Sequence, residues 1–185
     1  MISNSSTKLT NLIDGILDYS RNSKVLSSEN EEVNLTSFIN ETVTTYFTNR
    51  TDEINFKVIS PKDLSVFINK VALEQILINL ISNAIKYNDK ETCQIEIQAK
   101  EVEAFIKFNV IDNGQGIKAD EISKIFEIFE VTSNKDKNGL KGTGIGLATV
   151  NSLVQGLGGE ITVESEFGKG TNFEFTVKKV ATKLL

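Results

Sequence analysis

Three alternating glycines in residues 142–147, the stretch GTGIGL, restrict what this chain can fold into more than any other feature of the sequence. They run directly into residues 147–154, which predict a helix. A glycine loop that opens a helix lets the backbone approach a ligand closely and aims free N–H groups and the positive end of the helix dipole at it, which suits a phosphate. A flexible turn before the helix explains these residues equally well. The spacing matches neither G-x-G-x-x-G nor the P-loop motif, so the loop needs partners elsewhere in the chain.

The composition excludes several classes of protein. With 185 residues, of which 39% are hydrophobic and 24% charged, the chain can bury an ordinary core in one domain and carry an additional element. The net charge of −5 and the absence of a long basic run argue against nucleic-acid binding. No apolar stretch approaches the ~20 residues that a membrane-spanning helix needs. Cys93 is the only cysteine and there is no histidine, which excludes a disulfide framework, a zinc cluster of cysteines and histidine chemistry within this chain.

The start of the chain predicts an amphipathic helix that is incomplete by itself. Its apolar residues follow helical spacing at Leu9, Leu12, Ile13, Ile16 and Leu17, with Ile2 one heptad earlier. One short helix cannot bury its own apolar stripe, so we expect it to pair with another helix or another chain. Packing against its own domain is the alternative. The polar residues 22–32 separate this helix from the rest of the chain.

The remaining sequence predicts one domain of mixed helices and strands. Periodicity and turn residues predict helices at 35–47, 70–87 and about 122–129, and strands at 54–58, 64–68, 95–99, 105–111, 160–165 and 172–177. Asn34 is a suitable N-cap for the first helix. Pro61 predicts a turn that makes the first two strands partners, and the last two form a hairpin. We therefore expect an α+β fold, a two-layer α/β sandwich with a mixed sheet and helices on one face, preceded by the N-terminal helix.

The predicted helix 70–87 carries two stripes of different chemistry. The apolar stripe suits the core and consists of Leu73, Ile76, Leu77, Leu80, Ile81 and Ala84. The polar stripe consists of Gln75, Asn79, Asn83 and Lys86. Asparagine competes for backbone hydrogen bonds inside a helix, so two of them one turn apart need a reason. A solvated face is the usual reason, but amide oxygens beside a lysine also suit Mg²⁺, which takes one or two protein oxygens and shares phosphates.

Residues 112–116, DNGQG, come directly after the predicted central strand 105–111. Asp-Asn-Gly is a strong turn former, which is the simplest interpretation. Asp112 nevertheless lies at the end of a buried strand, where its carboxylate could accept from an exocyclic amine while the glycines leave room for a flat ring. Residues 131–141 are rich in lysine and asparagine, have almost nothing to bury and lead into the glycine loop, so we expect a mobile lid over a ligand.

Five motifs, in this order, resemble the sequence boxes of the GHKL ATP-binding superfamily. They are NLISNAIKY at 79–87 (N box), DNGQG at 112–116 (first glycine box), FEIF at 126–129 (F box), GTGIGL at 142–147 (second glycine box) and GKGT at 168–171, the closing glycine-threonine element. The resemblance covers residues 34–178. It implies the two-layer sandwich of that superfamily, the Bergerat fold, with ATP and Mg²⁺ as cofactors.

Within the superfamily the sequence resembles the sensor histidine kinases. Residues 12–21, LIDGILDYSR, are similar to the end of the second helix of the dimerisation and phosphoacceptor domain. These kinases carry asparagine at the position of Asn79, where the hydrolytic relatives (gyrase, mismatch-repair and chaperone ATPases) carry a glutamate that activates water. The resemblance therefore implies phosphoryl transfer to a protein side chain rather than to water.

The resemblance also implies a role for each matched residue. Asp112 would accept from the adenine amino group, Asn83 would coordinate Mg²⁺ and Asn79 would hold the phosphates or a metal-bound water. Lys86 would neutralise phosphate charge, in a site that works by positioning and charge neutralisation. The implied nucleotide-binding residues are Asn79, Asn83, Lys86, Tyr87, Asp112, Gly114, Gly116, Ile117, Gly142, Thr143, Gly144, Ile145, Gly146, Leu147 and Thr171, with Asn79 and Lys86 as catalytic residues and Asn83 as the metal ligand.

The implied function is that of the ATP-binding catalytic portion of a two-component sensor histidine kinase. Its phosphoacceptor histidine would lie outside this chain, and the phosphoryl group would pass on to the aspartate of a response-regulator receiver domain. We expect residues 1–24 to end a dimerisation helix that makes the full-length protein a homodimer, 25–33 to be a linker, 34–180 the catalytic domain and 181–185 a tail. The catalytic part would be cytoplasmic, whether or not the parent protein is anchored in a membrane.

Two features depart from the family's pattern. Glu130 comes after the F box where a basic residue is usual, and Lys135, Lys137 or Lys141 would have to replace that residue. The chain also lacks the phosphoacceptor histidine and the helix that carries it, so we expect a portion of a longer kinase. The alternatives are a protein serine kinase of the same superfamily and a non-catalytic module that binds nucleotide or only dimerises.

Overall fold

The structure, a computed structural model, describes residues 13, 16, 17, 20–47, 54–136 and 139–180. Within these ranges the helices are α1 (Asn22–Leu26), α2 (Leu35–Phe47), α3 (Lys70–Lys86) and α4 (Gly146–Gly156), and a 3₁₀ turn covers Ile122–Lys124. The strands are β1 (Glu31–Asn34), β2 (Ile54–Ile59), β3 (Ser65–Ile68), β4 (Cys93–Val102), β5 (Phe105–Asp112), β6 (Ile161–Glu166) and β7 (Gly170–Lys178). None of the helices in these ranges is long and apolar enough to cross a membrane.

Five strands form a mixed sheet in the order β2-β4-β5-β7-β6. β2 runs parallel to β4, and the other neighbouring strands are antiparallel. β1 and β3 form a separate antiparallel pair. The larger helices pack on one face of the five-stranded sheet. The expected two-layer architecture, with a mixed sheet and helices on one face, is confirmed.

Strand alternation decides which face of the sheet is buried. Phe108 and Phe175 are fully buried on the helix side, where their rings stack with centroids 4.7 Å apart. Their sequence neighbours Lys107 and Glu174 point to the opposite face and form an ion pair at 2.6 Å. Successive side chains of a strand point to opposite faces, so the sheet has an apolar side for the helices and a polar side for water.

The predicted pairing of strands 54–58 and 64–68 is wrong. β2 pairs with β4, whereas β3 pairs with β1. An alternating strand buries its apolar face against any neighbour of suitable register, so local sequence does not select the partner. The sequence also did not predict β1, because Val33 is its only buried residue. Residues 31–33, which were expected to end a linker, therefore form part of the folded domain.

Residues 122–129 do not form the predicted short helix. The 3₁₀ turn ends at Lys124, and Phe129 has a φ of +69°, outside the helical region. Phe126 packs edge-on against Phe173 with centroids 6.4 Å apart, whereas Phe129 is 53% exposed. One ring of the FEIF motif thus anchors this segment to the core, and the left-handed residue at its end turns the chain into the predicted lid.

The N-terminal helix is described only in part. Ile13, Ile16 and Leu17 are helical and between 47% and 49% exposed. The other residues of the predicted stripe, Ile2, Leu9 and Leu12, lie outside the described residues. About half the surface of each described stripe residue is therefore open to a partner.

Asn69 joins the segment after this helix to α3. Its Oδ1 accepts from the Ala72 N–H at 2.9 Å and so caps α3. Its Nδ2 donates to the carbonyls of Val25 at 2.8 Å and Ser28 at 3.2 Å. One buried side chain therefore fixes the end of α1 to the beginning of α3.

Leu26, the last residue of α1, packs against α4. A Cβ atom on Gly156, in the last turn of α4, would collide with the Leu26 side chain, so the leucine occupies the space that the glycine leaves open. α1 thus contacts both α3 and α4. Residues 22–28 pack as part of the folded domain, although their polar composition predicted a spacer.

We expect Gly156→Ala to destabilise the domain by about 1–2 kcal/mol, because the added methyl group collides with Leu26. In an unobstructed helix the same exchange stabilises by roughly 0.5–1 kcal/mol. Urea unfolding of Gly156→Ala, Leu26→Ala and the double variant measures the difference. In the Leu26→Ala background, Gly156→Ala should no longer destabilise. A stabilising effect of Gly156→Ala alone would show that Leu26 does not rest against this glycine.

Candidate nucleotide-binding site

A cavity of about 300 Å³ lies between α3, the end of β5, the beginning of β7 and the loop that opens α4. This volume is at the lower end of the range for small-molecule sites. The predicted site residues that line it are Asn79, Asn83, Lys86, Tyr87, Asp112, Gly116, Ile117, Gly142, Thr143, Gly144, Gly146, Leu147 and Thr171. Four motifs that are far apart in the sequence therefore meet around one cavity.

Two predicted site residues do not line the cavity. Gly114 lies in the turn behind Asp112, where its N–H donates to Asp112 Oδ1 at 2.8 Å. Ile145 is only 3% exposed, and its carbonyl accepts from the Thr149 N–H in the first turn of α4. A motif predicts that the chain passes the site, but the local backbone direction decides which of its residues face the ligand.

The structure adds lining residues that the sequence did not predict: Ser82, Ala84, Gln115, Ile125, Glu130, Val131, Thr132, Asn134 and Phe173. Helical spacing could have identified Ser82, since it lies three residues after Asn79 on the same face of α3. Strand alternation could have identified Phe173, which lies two residues after Thr171. The lid residues carry no such periodic signal.

The polar stripe of α3 forms one wall of the cavity. Asn79 Nδ2 donates to the Gln75 carbonyl at 2.9 Å. Its Oδ1 faces the beginning of α4, since a Cβ atom on Gly146 would lie 3.0 Å from it. The Asn83 side chain forms no hydrogen bond with the described residues, and Lys86 Nζ lies 5.3 Å from the centre of the Tyr87 ring. Two amide oxygens and one cation are thus available to a ligand.

The backbone of the second glycine box lies so close to neighbouring residues that Gly142 and Gly144 could not carry side chains without a collision. Gly144 has a φ of +72°, and a Cβ atom there would lie 2.5 Å from the Phe129 carbonyl carbon. The Phe129 N–H donates to the Gly144 carbonyl at 2.9 Å, which ties the two ends of the lid together. A Cβ atom on Gly142 would collide with the Tyr87 hydroxyl. Burial raises the pKa of that hydroxyl, with a further contribution from the charge of Asp136 and an opposing hydrogen bond from the Gly142 backbone.

The lid is fastened to the first glycine box. Asn134 is 7% exposed, and its Nδ2 donates to the Gly116 carbonyl at 2.7 Å. Gln115 Nε2 donates to the Lys135 carbonyl at 2.9 Å. Lys135 and Lys141 do not line the cavity, and Lys137 lies outside the described residues. Among the described lining residues, Lys86 is therefore the only cation.

Asp112 carries a carboxyl group that is largely buried, which disfavours its charged form. Burial raises its pKa from an ordinary 3.8 to about 6, although hydrogen bonds from the backbone N–H groups of Gly114 and Thr171 oppose the shift. The native state therefore binds this proton more tightly than the unfolded chain does. It follows that the contribution of Asp112 to stability is greatest below pH 3.8 and is lost as the pH rises through about 6.

The donor set of α3 fits a magnesium ion that arrives with a nucleotide. Among the described residues, no cluster of three or more His, Cys, Asp or Glu side chains could hold a metal ion by itself. Mg²⁺ needs no such cluster when phosphates supply most of its ligands, since one or two protein oxygens are then sufficient. The side-chain oxygen of Asn83, which has no hydrogen-bond partner among the described residues, has the chemistry of such a ligand.

Comparison with known protein families shows which family this chain belongs to. The protein-family model described as "Histidine kinase-, DNA gyrase B-, and HSP90-like ATPase" matches residues 68–181. The chain belongs to this ATPase family. The matched region begins just before α3 and ends just after β7, so it includes all the lining residues of the cavity.

Relatives within this family include sensor kinases. The chain is 33% identical over 180 residues to the aerobic respiration control sensor protein ArcB of Escherichia coli K12, which covers 94% of this chain and 23% of ArcB. It is 29% identical over 177 residues to the sensor histidine kinase WalK of Bacillus subtilis, which covers 94% of this chain and 29% of WalK. The chain spans about a quarter of the length of these curated relatives.

Solved structures agree with the family. The catalytic domain of the histidine kinase ThkA superposes with a TM-score of 0.69 at 28% identity, over 82% of this chain and 97% of that domain. ThkA in complex with the response regulator protein TrrA gives a TM-score of 0.72 at 25% identity, over 97% of this chain and 49% of the ThkA chain. The predicted GHKL sandwich is therefore the fold of this chain.

Asp112→Asn should raise the stability of the ligand-free protein at about pH 7.5 by roughly 1–3 kcal/mol, because it removes a carboxylate whose ionisation the fold opposes. The gain should shrink as the pH falls toward about 4, where the carboxyl group is neutral in the native state. Urea unfolding across this pH range measures the effect, with the exposed Asp120→Asn as the matched control. A gain that is independent of pH would contradict the assigned cause.

Proposed function

We propose that this chain is the ATP-binding catalytic part of a two-component sensor histidine kinase. It would transfer the γ-phosphoryl group of Mg-ATP to a histidine outside this chain, and the group would then pass to the aspartate of a response regulator. The observation that carries the proposal is the polar group that α3 directs at the beginning of α4. This group is the amide of Asn79 and not a carboxylate.

The two ends of the cavity support binding of a nucleotide. At one end, the Asp112 carboxylate can accept from an exocyclic amino group. At the other end, the beginning of α4 offers free N–H groups and the positive end of the helix dipole, with Lys86 on the adjacent wall. A nucleotide with its base beside Asp112 and its phosphates beside the beginning of α4 would therefore fit the chemistry of each end.

Asn79 favours a kinase over a hydrolase. An amide cannot take a proton from water, so it cannot act as a general base for hydrolysis. Its Nδ2 is held by the Gln75 carbonyl, which leaves Oδ1 to hold a phosphate-bound water or metal ion. Of the two carboxylates among the described lining residues, Asp112 belongs to the base end and Glu130 to the lid.

Asn83, with Asn79 beside it, would hold the Mg²⁺ ion. When bound, the ion would supply charge neutralisation at the phosphates, to which Lys86 would add. The residues of this chain would then act by positioning the triphosphate and excluding water beneath the lid. No covalent intermediate on this chain is required.

The partners can be inferred from what the chain lacks and what it leaves exposed. The sequence contains no histidine, so the phosphoacceptor must be supplied from outside it. The half-exposed Ile13, Ile16 and Leu17 support pairing of the N-terminal helix with other helices of a homodimeric parent kinase. The solved complex of the similar histidine kinase ThkA with the response regulator protein TrrA supports a response regulator as the next acceptor. We place this catalytic part in the cytoplasm, where ATP is available.

The proposal predicts that calorimetry detects Mg-ATP binding and that Asp112→Asn weakens it about 10- to 150-fold, the cost of one hydrogen bond to a charged group. Wild-type affinity should also fall about tenfold between about pH 7 and pH 5, because the protonated carboxyl group no longer accepts as an anion. Asp112→Asn should lack this pH dependence, and Asp120→Asn should bind as the wild type does. A folded wild-type chain that does not bind Mg-ATP would remove the proposal.

Phosphoryl transfer tests the kinase assignment directly. The chain is incubated with γ-labelled Mg-ATP and a helical hairpin that carries the histidine of the parent kinase. We expect acid-labile, alkali-stable label on the histidine, reduced about 100-fold or more in Asn83→Ala. Acid-stable label on serine would favour the serine kinase, and binding without transfer would favour the non-catalytic module. Phosphate release without an acceptor should be slow and unchanged in Glu130→Gln, since rapid release that needs Glu130 would indicate a hydrolase.

A further inference from the structure

The hydroxyl group of Ser165, in β6, joins three segments around the base end of the cavity. Ser165 Oγ accepts from the Ile117 N–H at 2.8 Å, lies 2.9 Å from the Gly170 carbonyl oxygen and lies 2.9 Å from Thr171 Oγ1. Ile117 and Thr171 line the cavity, whereas Ser165 lies behind them. Any effect of Ser165 on a ligand must therefore act through these neighbours.

The protons of this cluster can be assigned from its chemistry. A hydroxyl group has one proton to donate and two lone pairs with which to accept. A carbonyl oxygen only accepts, so the Ser165 proton points at Gly170. One lone pair of Ser165 receives the Ile117 N–H, and the other is left for the proton of Thr171. The single proton of Thr171 is thus committed to Ser165.

This assignment makes Thr171 an acceptor toward the cavity. Its Oγ1 forms no other hydrogen bond with the described residues, so the remaining lone pair is free for a ligand. Thr171 lies directly opposite Asp112 in the pairing of β5 with β7. The carboxylate of Asp112 also only accepts when ionised. The base end therefore presents two acceptors side by side.

Two adjacent acceptors distinguish the common purines. Adenine carries an exocyclic amino group, which donates, at the position where guanine carries a carbonyl oxygen, which only accepts. Where both acceptors face this exocyclic position and not the neighbouring ring nitrogen, a guanine in the same orientation would place its oxygen against both of them, and a buried acceptor without a donor is destabilising. Discrimination depends on Thr171 being unable to rotate its proton into the cavity.

We propose that Ser165 is a positioning residue for base selectivity, which holds the Thr171 hydroxyl as an acceptor and so makes the cavity prefer adenine over guanine nucleotides. This inference rests on the proposed nucleotide-binding function. It assigns Ser165 a role in addition to the hydrogen bonds that hold β6 against the neighbouring segments. A purely structural role would change the affinities for both nucleotides alike.

The test measures the affinities of the folded chain for Mg-ATP and Mg-GTP by calorimetry. Ser165→Ala should lower the ratio of ATP to GTP affinity about 3- to 10-fold, because the released Thr171 proton can then donate to the guanine oxygen. Ser165→Thr keeps the hydroxyl group and should keep the ratio. Thr162→Ala, an exposed exchange on the same strand, is the matched control and should also keep it.

A double-mutant cycle distinguishes an effect of Ser165 on base selectivity from an effect on the structure alone. Without the Thr171 hydroxyl there is no proton to orient, so Ser165→Ala should leave the ratio unchanged in a Thr171→Val background, even where both affinities fall. Should Ser165→Ala not fold, Thr171→Val should lower the ratio and Thr171→Ser should preserve it. An unchanged ratio in Ser165→Ala, or an equal change in both backgrounds, would overturn the inference. A folded wild-type chain that binds neither nucleotide would instead overturn the proposed function.

Discussion

The burial of one stripe of α3 against the sheet determines how the rest of the molecule can work. Leu73, Leu77 and Leu80 are almost fully buried, which fixes the rotation of the helix about its axis. With that rotation fixed, Asn79 and Asn83 have to face the cavity, because they lie on the adjacent stripe of the same rigid element. The core and the proposed phosphate end of the site therefore both depend on how this one helix packs against the sheet.

At the proposed base end of the site, ligand recognition and stability have opposite requirements. A carboxylate at the end of a buried strand loses hydration, and this loss raises the pKa of Asp112 to about 6. The backbone N–H groups of Gly114 and Thr171 reduce the penalty without removing it. An acceptor that water does not satisfy is available to a ligand, which explains why such a destabilised group belongs in a binding site. Ser165 does the same for a neutral group. It accepts the only proton that Thr171 could donate, so the Thr171 hydroxyl is left as an acceptor for a ligand.

The segment after the N-terminal helix is joined to the helices of the site through two residues, Asn69 and Leu26. Asn69 caps α3 with its oxygen and holds Val25 and Ser28 with its nitrogen. The helix that carries the cavity residues Asn79, Asn83 and Lys86 is thus joined at its first turn to the segment that comes after the N-terminal helix. Leu26, seated against Gly156, connects the same segment to α4, whose first turn forms the opposite wall. α1 therefore contacts both of the helices that carry walls of the cavity.

The sequence by itself determined the features that arise from neighbours along the chain. The stripe from Leu73 to Ala84, the alternation of β7 and the glycines at the opening of α4 result from helical period, strand period and backbone sterics, which are local properties. Together with the resemblance of its five motifs, these sufficed to predict the sandwich and most of the lining residues. Only the tertiary structure decided that β2 joins β4 and that residues 22–28 dock on α3 and α4. It alone brought Ser165 and Asn134 to the site and turned Ile145 away from it. Strand pairing and side-chain packing depend on surfaces that come together only in the folded chain, and no local period encodes them.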